Sequence, residues 1–394
     1  MNPQQPAPPQ FPGQHWQSGQ IPGAPSPGYP GYPGYPGQPP VPGPVPPAFQ
    51  PSQPAPQSPQ PYMTPQQAAR AIMRRAVNRP AGVVLLYAAV AQALGAVFSG
   101  VAMLMWLVAQ SGDPARARQY VVLKLNDAYS AVMQYMGVIS LASFGVAALI
   151  LFLLRRRMIA RRGFWVGDHG EARRMRAAWA LDFLILTVSA QAVFVLLQAL
   201  LSAAGVDLVS PSMEALSESA ITWEMWLYIG LVGPAIEELV FRGVLMQSLA
   251  PYGRNYAIVT SALMFALYHG DLVQGLFAFV MGLVLGFVAM EYSLVWSIAI
   301  HIFNNAILSG VIDGLASHYL NDNGYLVYSL ILSLIGVAGT ILAFVVYGRG
   351  LKTYVRANRS APGTYLGWTS WAFIVFVAGN ALTAIVSFIG ALMG

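Results

Sequence analysis

Long apolar runs separated by short polar segments fill the chain from about residue 82 to its C-terminal end. A helix needs about 20 apolar residues to cross the ~30 Å hydrocarbon core of a bilayer, and several runs reach that length. The pattern therefore predicts membrane helices near 82–109, 131–154, 177–203, 225–249, 257–269, 272–290, 294–310, 326–347 and 369–393. The run that ends at His269 is short for a full crossing, so we expect a partial or tilted helix packed inside the protein.

The N-terminal region shows a different pattern. Residues 1–66 are rich in Pro, Gly, Gln and Tyr, and a Gly-Tyr-Pro repeat runs over 28–36. Such a segment buries too little apolar surface to offset its ordering entropy, which predicts a disordered cytoplasmic tail and a candidate docking segment for a protein partner. The predicted fold class is thus all-α, with a polytopic transmembrane helical bundle of about eight or nine membrane helices over 67–394.

Composition supports a membrane protein and excludes several kinds of site. Hydrophobic residues make up 56% of the chain and charged residues only 9%, which is too apolar for an ordinary soluble domain. There is no cysteine, so disulfides, thiolate metal ligands and a cysteine nucleophile are excluded. The formal net charge is +6, but the basic residues form short clusters beside apolar runs, as in topology signals. We therefore expect membrane lipid, and no nucleic acid, as a partner.

The basic clusters also predict an orientation. The chain has 21 basic residues, and all except Arg116, Arg118, Lys124 and Arg242 fall in segments predicted on one side of the membrane. Cytoplasmic flanks of membrane helices are enriched in Lys and Arg. The predicted location is thus the cell membrane, with several crossings, a cytoplasmic N-terminus and an external C-terminus.

Three ionisable residues lie close together in the helix predicted at 225–249: Glu237, Glu238 and Arg242. Each costs several kcal/mol inside a bilayer unless it is paired or faces a wet cavity, so the cluster is a candidate functional site. Glu238 and Arg242 are four residues apart, which favours an intrahelical ion pair. Glu237 is rotated by about 100° from Glu238 and has no local cation. A buried ion network that holds helices together would explain Glu238 and Arg242, whereas Glu237 suits a general base or acid.

Two of the five histidines, His269 and His301, lie in or at predicted membrane helices. Phe265 and Asn305 stand four residues from them, so each pair projects from one face of its helix. One intramembrane histidine is often a packing residue, but two histidines and a free glutamate predict a site. Glu237, His269 and His301 together would form an open zinc site, with water as the fourth ligand. The sequence places no carboxylate behind either histidine, which favours a site without a tightly bound metal and leaves zinc open.

The motifs of other intramembrane proteases are missing. The chain has no His-Glu-x-x-His, Gly-x-Gly-Asp or Gly-x-Ser-x-Gly, which would signal zinc, aspartyl or serine chemistry. It has Glu-Glu-x-x-x-Arg, Phe-x-x-x-His and His-x-x-x-Asn, in that order and on apolar helices. This set resembles the CAAX protease and bacteriocin-processing family, which includes the CAAX prenyl endopeptidases and bacterial Abi-type membrane proteins. The resemblance covers a catalytic core of about 224–310.

The resemblance implies an intramembrane endopeptidase that hydrolyses a peptide bond in a membrane-associated or apolar-tailed peptide or protein. It implies that Glu237 and His269 activate the attacking water, that His301 and Asn305 stabilise the oxyanion, and that Glu238, Arg242 and Phe265 support the site. Two alternatives stay open: a non-catalytic scaffold or immunity protein of the same family, and a transporter. A transporter would call for inverted-repeat symmetry, which the two halves of the chain do not show. The identity of the substrate is not encoded in a form that can be read from these residues.

Overall fold

A computed structural model describes residues 64–112, 125–167, 173–203 and 222–393. Every regular element within these ranges is a helix, and none of these residues forms a strand. The all-α fold class is thus confirmed. The predicted tail up to residue 63 lies outside the described residues, as do Arg116, Arg118 and Lys124.

The first helix, α1, begins earlier than the apolar pattern predicts. It runs over Pro65–Ser111, and the predicted boundary at 82 lies well inside it. Thr64 explains the early start because its side chain accepts a hydrogen bond from the backbone N–H of Gln67, whose own side chain bonds back to Thr64. This reciprocal capping box satisfies orphan backbone groups at the helix start. Gly112 ends the helix in the left-handed conformation, with φ 65°, where glycine is favoured.

The other helices follow the predicted order. They are α2 (Leu125–Met133), α3 (Met136–Ile159), the short α4 (Arg162–Val166), α5 (Ala177–Ala203), α6 (223–252), α7 (Arg254–Tyr268), α8 (Leu272–Glu291), α9 (Leu294–Tyr319), α10 (Asp322–Ala357) and α11 (Trp371–Met393). Six helices in the described part of the chain, α1, α3, α8, α9, α10 and α11, are long and apolar enough to cross a membrane. The protein is therefore a multi-pass membrane protein.

The helix α7, which leads to His269, is short, as the sequence predicted. Its 15 residues span about 22 Å, less than the hydrocarbon thickness. Gly270 ends it with φ 61°, and Asp271 caps α8 by accepting hydrogen bonds from the N–H groups of Val273 and Gln274. This tight turn fixes His269 at the C-terminal end of α7.

The helix α6 occupies the centre of the protein and is irregular. Its segment Leu239–Met246 is a π-helix that is almost fully buried, and it joins one apolar core with residues of α1, α3, α7 and α11. A second π segment, Tyr228–Val232, precedes the α-helical turn Gly233–Glu238. The helix α9 has a π segment as well, Phe303–Ile312. Such wider turns are often found at functional sites, and here two of them flank the turn that carries Glu237, while the third contains Asn305.

Candidate active site

Glu238 is the most heavily bonded residue of the predicted site. Its side chain and that of Arg242 are both 0% exposed, and Arg242 Nη1 donates to Glu238 Oε1 at 2.7 Å. The predicted i, i+4 pair is therefore present. Ser297 Oγ donates to the other carboxylate oxygen, and His301 Nδ1 lies 3.0 Å from Oε1. Glu238 thus joins α6 to α9, and both of its oxygens already accept hydrogen bonds from buried side chains.

Phe265 lies between the cation and the two histidines. The guanidinium carbon of Arg242 is 4.1 Å from the centroid of the Phe265 ring, within the range of a cation–π contact. Two buried nitrogens of Arg242, Nε and Nη2, have no hydrogen-bond partner among the described residues, so the ring face is a further source of stabilisation for this cation. Phe265 also packs against the rings of His269 and His301, with centroids 4.9 Å and 5.8 Å away. It positions all three groups.

Glu237 has different surroundings from its neighbour. Its side chain is 18% exposed, and Oε2 lies 3.7 Å from Nε2 of His301. Among the described residues, no lysine or arginine lies within ion-pair distance of Glu237. The carboxylate is therefore partly open and meets an imidazole instead of a permanent cation.

The hydrogen bonds of the two histidines indicate where each ring carries its hydrogen. A carboxylate accepts hydrogen bonds, so His301 donates from Nδ1 to Glu238 and turns Nε2 towards Glu237. His269 likewise donates from Nδ1 to the backbone carbonyl of Phe265, at 2.9 Å. With Nδ1 as the donor, Nε2 is the nitrogen of His269 that can accept a proton. The ring lies close enough to Glu237 and His301 for electrostatic interaction. The structure thus brings Glu237, His269 and His301 together.

Asn305 and Asn304 differ in their contacts. Asn305 is half-buried and donates from Nδ2 to the backbone carbonyl of Ile229, at 3.3 Å, in the first π segment of α6. Asn304 is 2% exposed, donates to Asn305 Oδ1 at 3.0 Å, and accepts from Gln191 of α5. Asn304 therefore orients the neighbouring amide, while Asn305 keeps one N–H without a bond among the described residues. This difference favours Asn305 over Asn304 as a donor at the site.

Several residues of this site were not predicted. Tyr87 of α1, Tyr228 of α6 and Tyr268 of α7 lie close enough to Glu237 to interact with it electrostatically. Nothing local in the sequence indicates Tyr87, which is far from the motifs. Ser297 could have been found, because it stands four residues before His301 and so shares its helix face.

The arrangement does not provide the zinc site that the sequence left open. In the described ranges, no group of three or more His, Asp and Glu side chains is arranged to hold a metal ion. The sequence showed no carboxylate behind either histidine, whereas the structure places Glu238 behind His301. Glu238 itself is held by Arg242 and Ser297. Within the described ranges, Glu237, His269 and His301 are therefore not arranged as a three-ligand metal centre.

Fold and site together define a class: a multi-pass helical membrane protein with an acid–histidine cluster buried where α6, α7 and α9 meet. Residues 219–307 match a family model described as type II CAAX prenyl endopeptidase Rce1-like. This segment is thus similar to a domain of CAAX-type membrane proteases, which confirms the resemblance of its motifs. No curated protein and no solved structure matches the chain. The matched segment includes all seven predicted site residues: Glu237, Glu238, Arg242, Phe265, His269, His301 and Asn305.

Proposed function

We propose that this protein is an intramembrane endopeptidase that hydrolyses a peptide bond in a membrane-associated or apolar-tailed peptide, with Glu237 activating the water. The observation that carries the proposal is the facing pair Glu237 Oε2 and His301 Nε2, 3.7 Å apart. With the ring hydrogen on Nδ1, both atoms are acceptors, and two acceptors this close call for a proton or a water between them. A general base needs such a water within hydrogen-bond reach.

The proposed reaction uses each neighbour of Glu237. The carboxylate removes a proton from water as the oxygen attacks the carbonyl carbon, and it then returns this proton to the leaving amine, with His269 assisting the transfer. The negative charge that develops on the carbonyl oxygen is stabilised by the remaining N–H of Asn305 and by His301 Nε2–H when the ring is protonated. Glu238 fixes the orientation of His301 through Nδ1, and Arg242 and Phe265 hold Glu238 and the rings in place.

The proposal predicts the effect of Glu237→Gln, which keeps the size of the side chain but removes the base. Cleavage should fall by about 10²–10⁴-fold, the usual contribution of a general base. The measurement compares protein termini in membrane fractions of cells that produce wild type or Glu237→Gln. Termini that vanish in the variant identify the substrate, and synthetic peptides of that sequence then give rates with the purified protein.

Glu224→Gln is the matched control, because Glu224 is also on α6 but lies in its first turn, away from the site. It should cleave like the wild type, and a chelator should leave wild-type cleavage intact. If Glu237→Gln is folded and the termini are unchanged, the protein acts without catalysis, as a scaffold or immunity protein would. Loss of cleavage on chelation would contradict the metal-free mechanism alone.

A further inference from the structure

A cavity of about 540 Å³ lies between the start of α1, the end of α3 and the end of α6. Its size is within the range of small-molecule sites. Ser248, at the rim, follows Glu237 by three turns of α6, roughly 15 Å along the helix. The cavity is therefore separate from the candidate active site. Its lining consists of Ala71, Ile72, Arg75, Ala76, Arg79, Pro80, Arg155, Ser248 and Tyr252.

The cavity is strongly basic. Three of its nine lining residues are arginines and none is acidic. Arg155 is half-buried, and its Nη2 donates to the backbone carbonyl of Arg79 at 3.4 Å, so the Arg155 side chain lies next to a second arginine of the lining. Among the described residues, neither of these two nor Arg75 forms an ion pair with a carboxylate. Like charges brought together without a counter-charge favour the binding of an anion.

The apolar part of the lining indicates which anion. Ile72 is 57% exposed, and with Ala71, Ala76 and Pro80 it lines the cavity beside the three arginines. An anion with an apolar part would therefore meet guanidinium groups and apolar side chains in the same cavity. The cavity also lies at the ends of two helices, α1 and α3, that are long and apolar enough to cross the membrane. The ends of membrane helices lie near the headgroup region of a bilayer, where phospholipid phosphates are next to their acyl chains.

We propose that this cavity binds the phosphate headgroup of an anionic membrane phospholipid, with Arg75, Arg79 and Arg155 as the phosphate ligands. Guanidinium groups bind phosphate oxygens through charge-assisted hydrogen bonds. Basic pockets between membrane helices are known to bind anionic headgroups. The proposal does not depend on the proposed peptidase activity.

The test titrates purified full-length protein in neutral detergent with short-chain phosphatidylglycerol and follows thermal unfolding. Parallel titrations use phosphatidylcholine with the same acyl chains and inorganic phosphate. Phosphatidylglycerol should stabilise the wild type in a saturable way. The double variant Arg79→Gln/Arg155→Gln should bind it about 25-fold more weakly, taking about 1 kcal/mol for each arginine.

The matched control is Arg156→Gln/Arg157→Gln, which removes the same amount of charge at the end of α3, next to Arg155 but outside the cavity. It should change affinity by less than about twofold, the level of general attraction. If the first double variant does not fold, the single variant Arg75→Gln replaces it in the test. This variant should bind phosphatidylglycerol about fivefold more weakly than the wild type. Three results would overturn the proposal: equal binding of phosphatidylcholine, equal binding of inorganic phosphate, or an equal loss in the control.

Discussion

Glu237 and Glu238 are adjacent in the chain, yet their surroundings give them different roles. Glu238 is fully buried and bonded to Arg242, Ser297 and His301, whereas Glu237 is partly exposed and lies 3.7 Å from the second nitrogen of the same imidazole. A fully buried carboxylate whose two oxygens both accept hydrogen bonds from the protein is structural, and a partly exposed one with open sites can act on a substrate. Of these two neighbouring residues, Glu238 therefore supports the site and Glu237 is available to react.

This division predicts opposite effects on stability. Glu238→Gln removes the counter-charge of a fully buried arginine, which typically costs about 3–5 kcal/mol of folding free energy. Glu237→Gln breaks no short ion pair and should change the free energy of unfolding by less than about 0.5 kcal/mol. Thermal unfolding of both purified variants in the same detergent measures the difference. If the two midpoints agree, the assignment of Glu238 as the structural carboxylate is wrong.

Close backbone contact joins α5 to α10. Ser189 of α5 donates to the backbone carbonyl of Gly336 in α10 at 2.7 Å. A Cβ added at Gly336 would lie 2.6 Å from Cβ of Ala192 and 2.9 Å from the backbone oxygen of Val188. Small residues let membrane helices approach in this way and gain van der Waals contact. Gly336 therefore allows the close approach of α5 and α10.

We therefore expect Gly336→Ala to destabilise the protein by about 1–3 kcal/mol, the usual cost of overpacking. Gly348→Ala, on the same helix, is the control, because a Cβ there meets nothing within 4 Å. That substitution should be neutral or stabilising by up to about 1 kcal/mol, since alanine favours the helical backbone. Unfolding in a mixed-micelle denaturant series gives both values. Equal destabilisation by the two variants would contradict the close approach of the helices.

The basic segments meet at one end of the helical bundle. Arg155 at the end of α3 contacts the backbone of Arg79 near the start of α1. At the end of α8, Glu291 binds Arg254 at the start of α7 and accepts from Tyr354 near the end of α10. These contacts place basic residues of several helices at the same end of the bundle. Basic flanks predict the cytoplasmic side of a membrane protein.

The absence of cysteine from the whole chain allows a direct test of this orientation. We propose that the basic end is cytoplasmic, so Arg157→Cys should be protected from a membrane-impermeant maleimide in intact cells. Asp322→Cys, at the opposite end at the start of α10, should be labelled. Both positions are exposed and should react once the cells are permeabilised. Labelling of position 157 alone in intact cells would reverse the predicted topology.

The sequence alone determined the membrane class, the order of the helices, the Glu238–Arg242 pair and the identity of the candidate catalytic residues. These features depend on the length of apolar runs and on spacing within single helices, which are local properties. Three further features depend on the packing of separate helices: the bond between His301 and Glu238, the contact of Tyr87 with Tyr268, and the cavity that three arginines share. His301 and Glu238 are 63 residues apart, and packing between helices, which no local pattern encodes, brings them into contact.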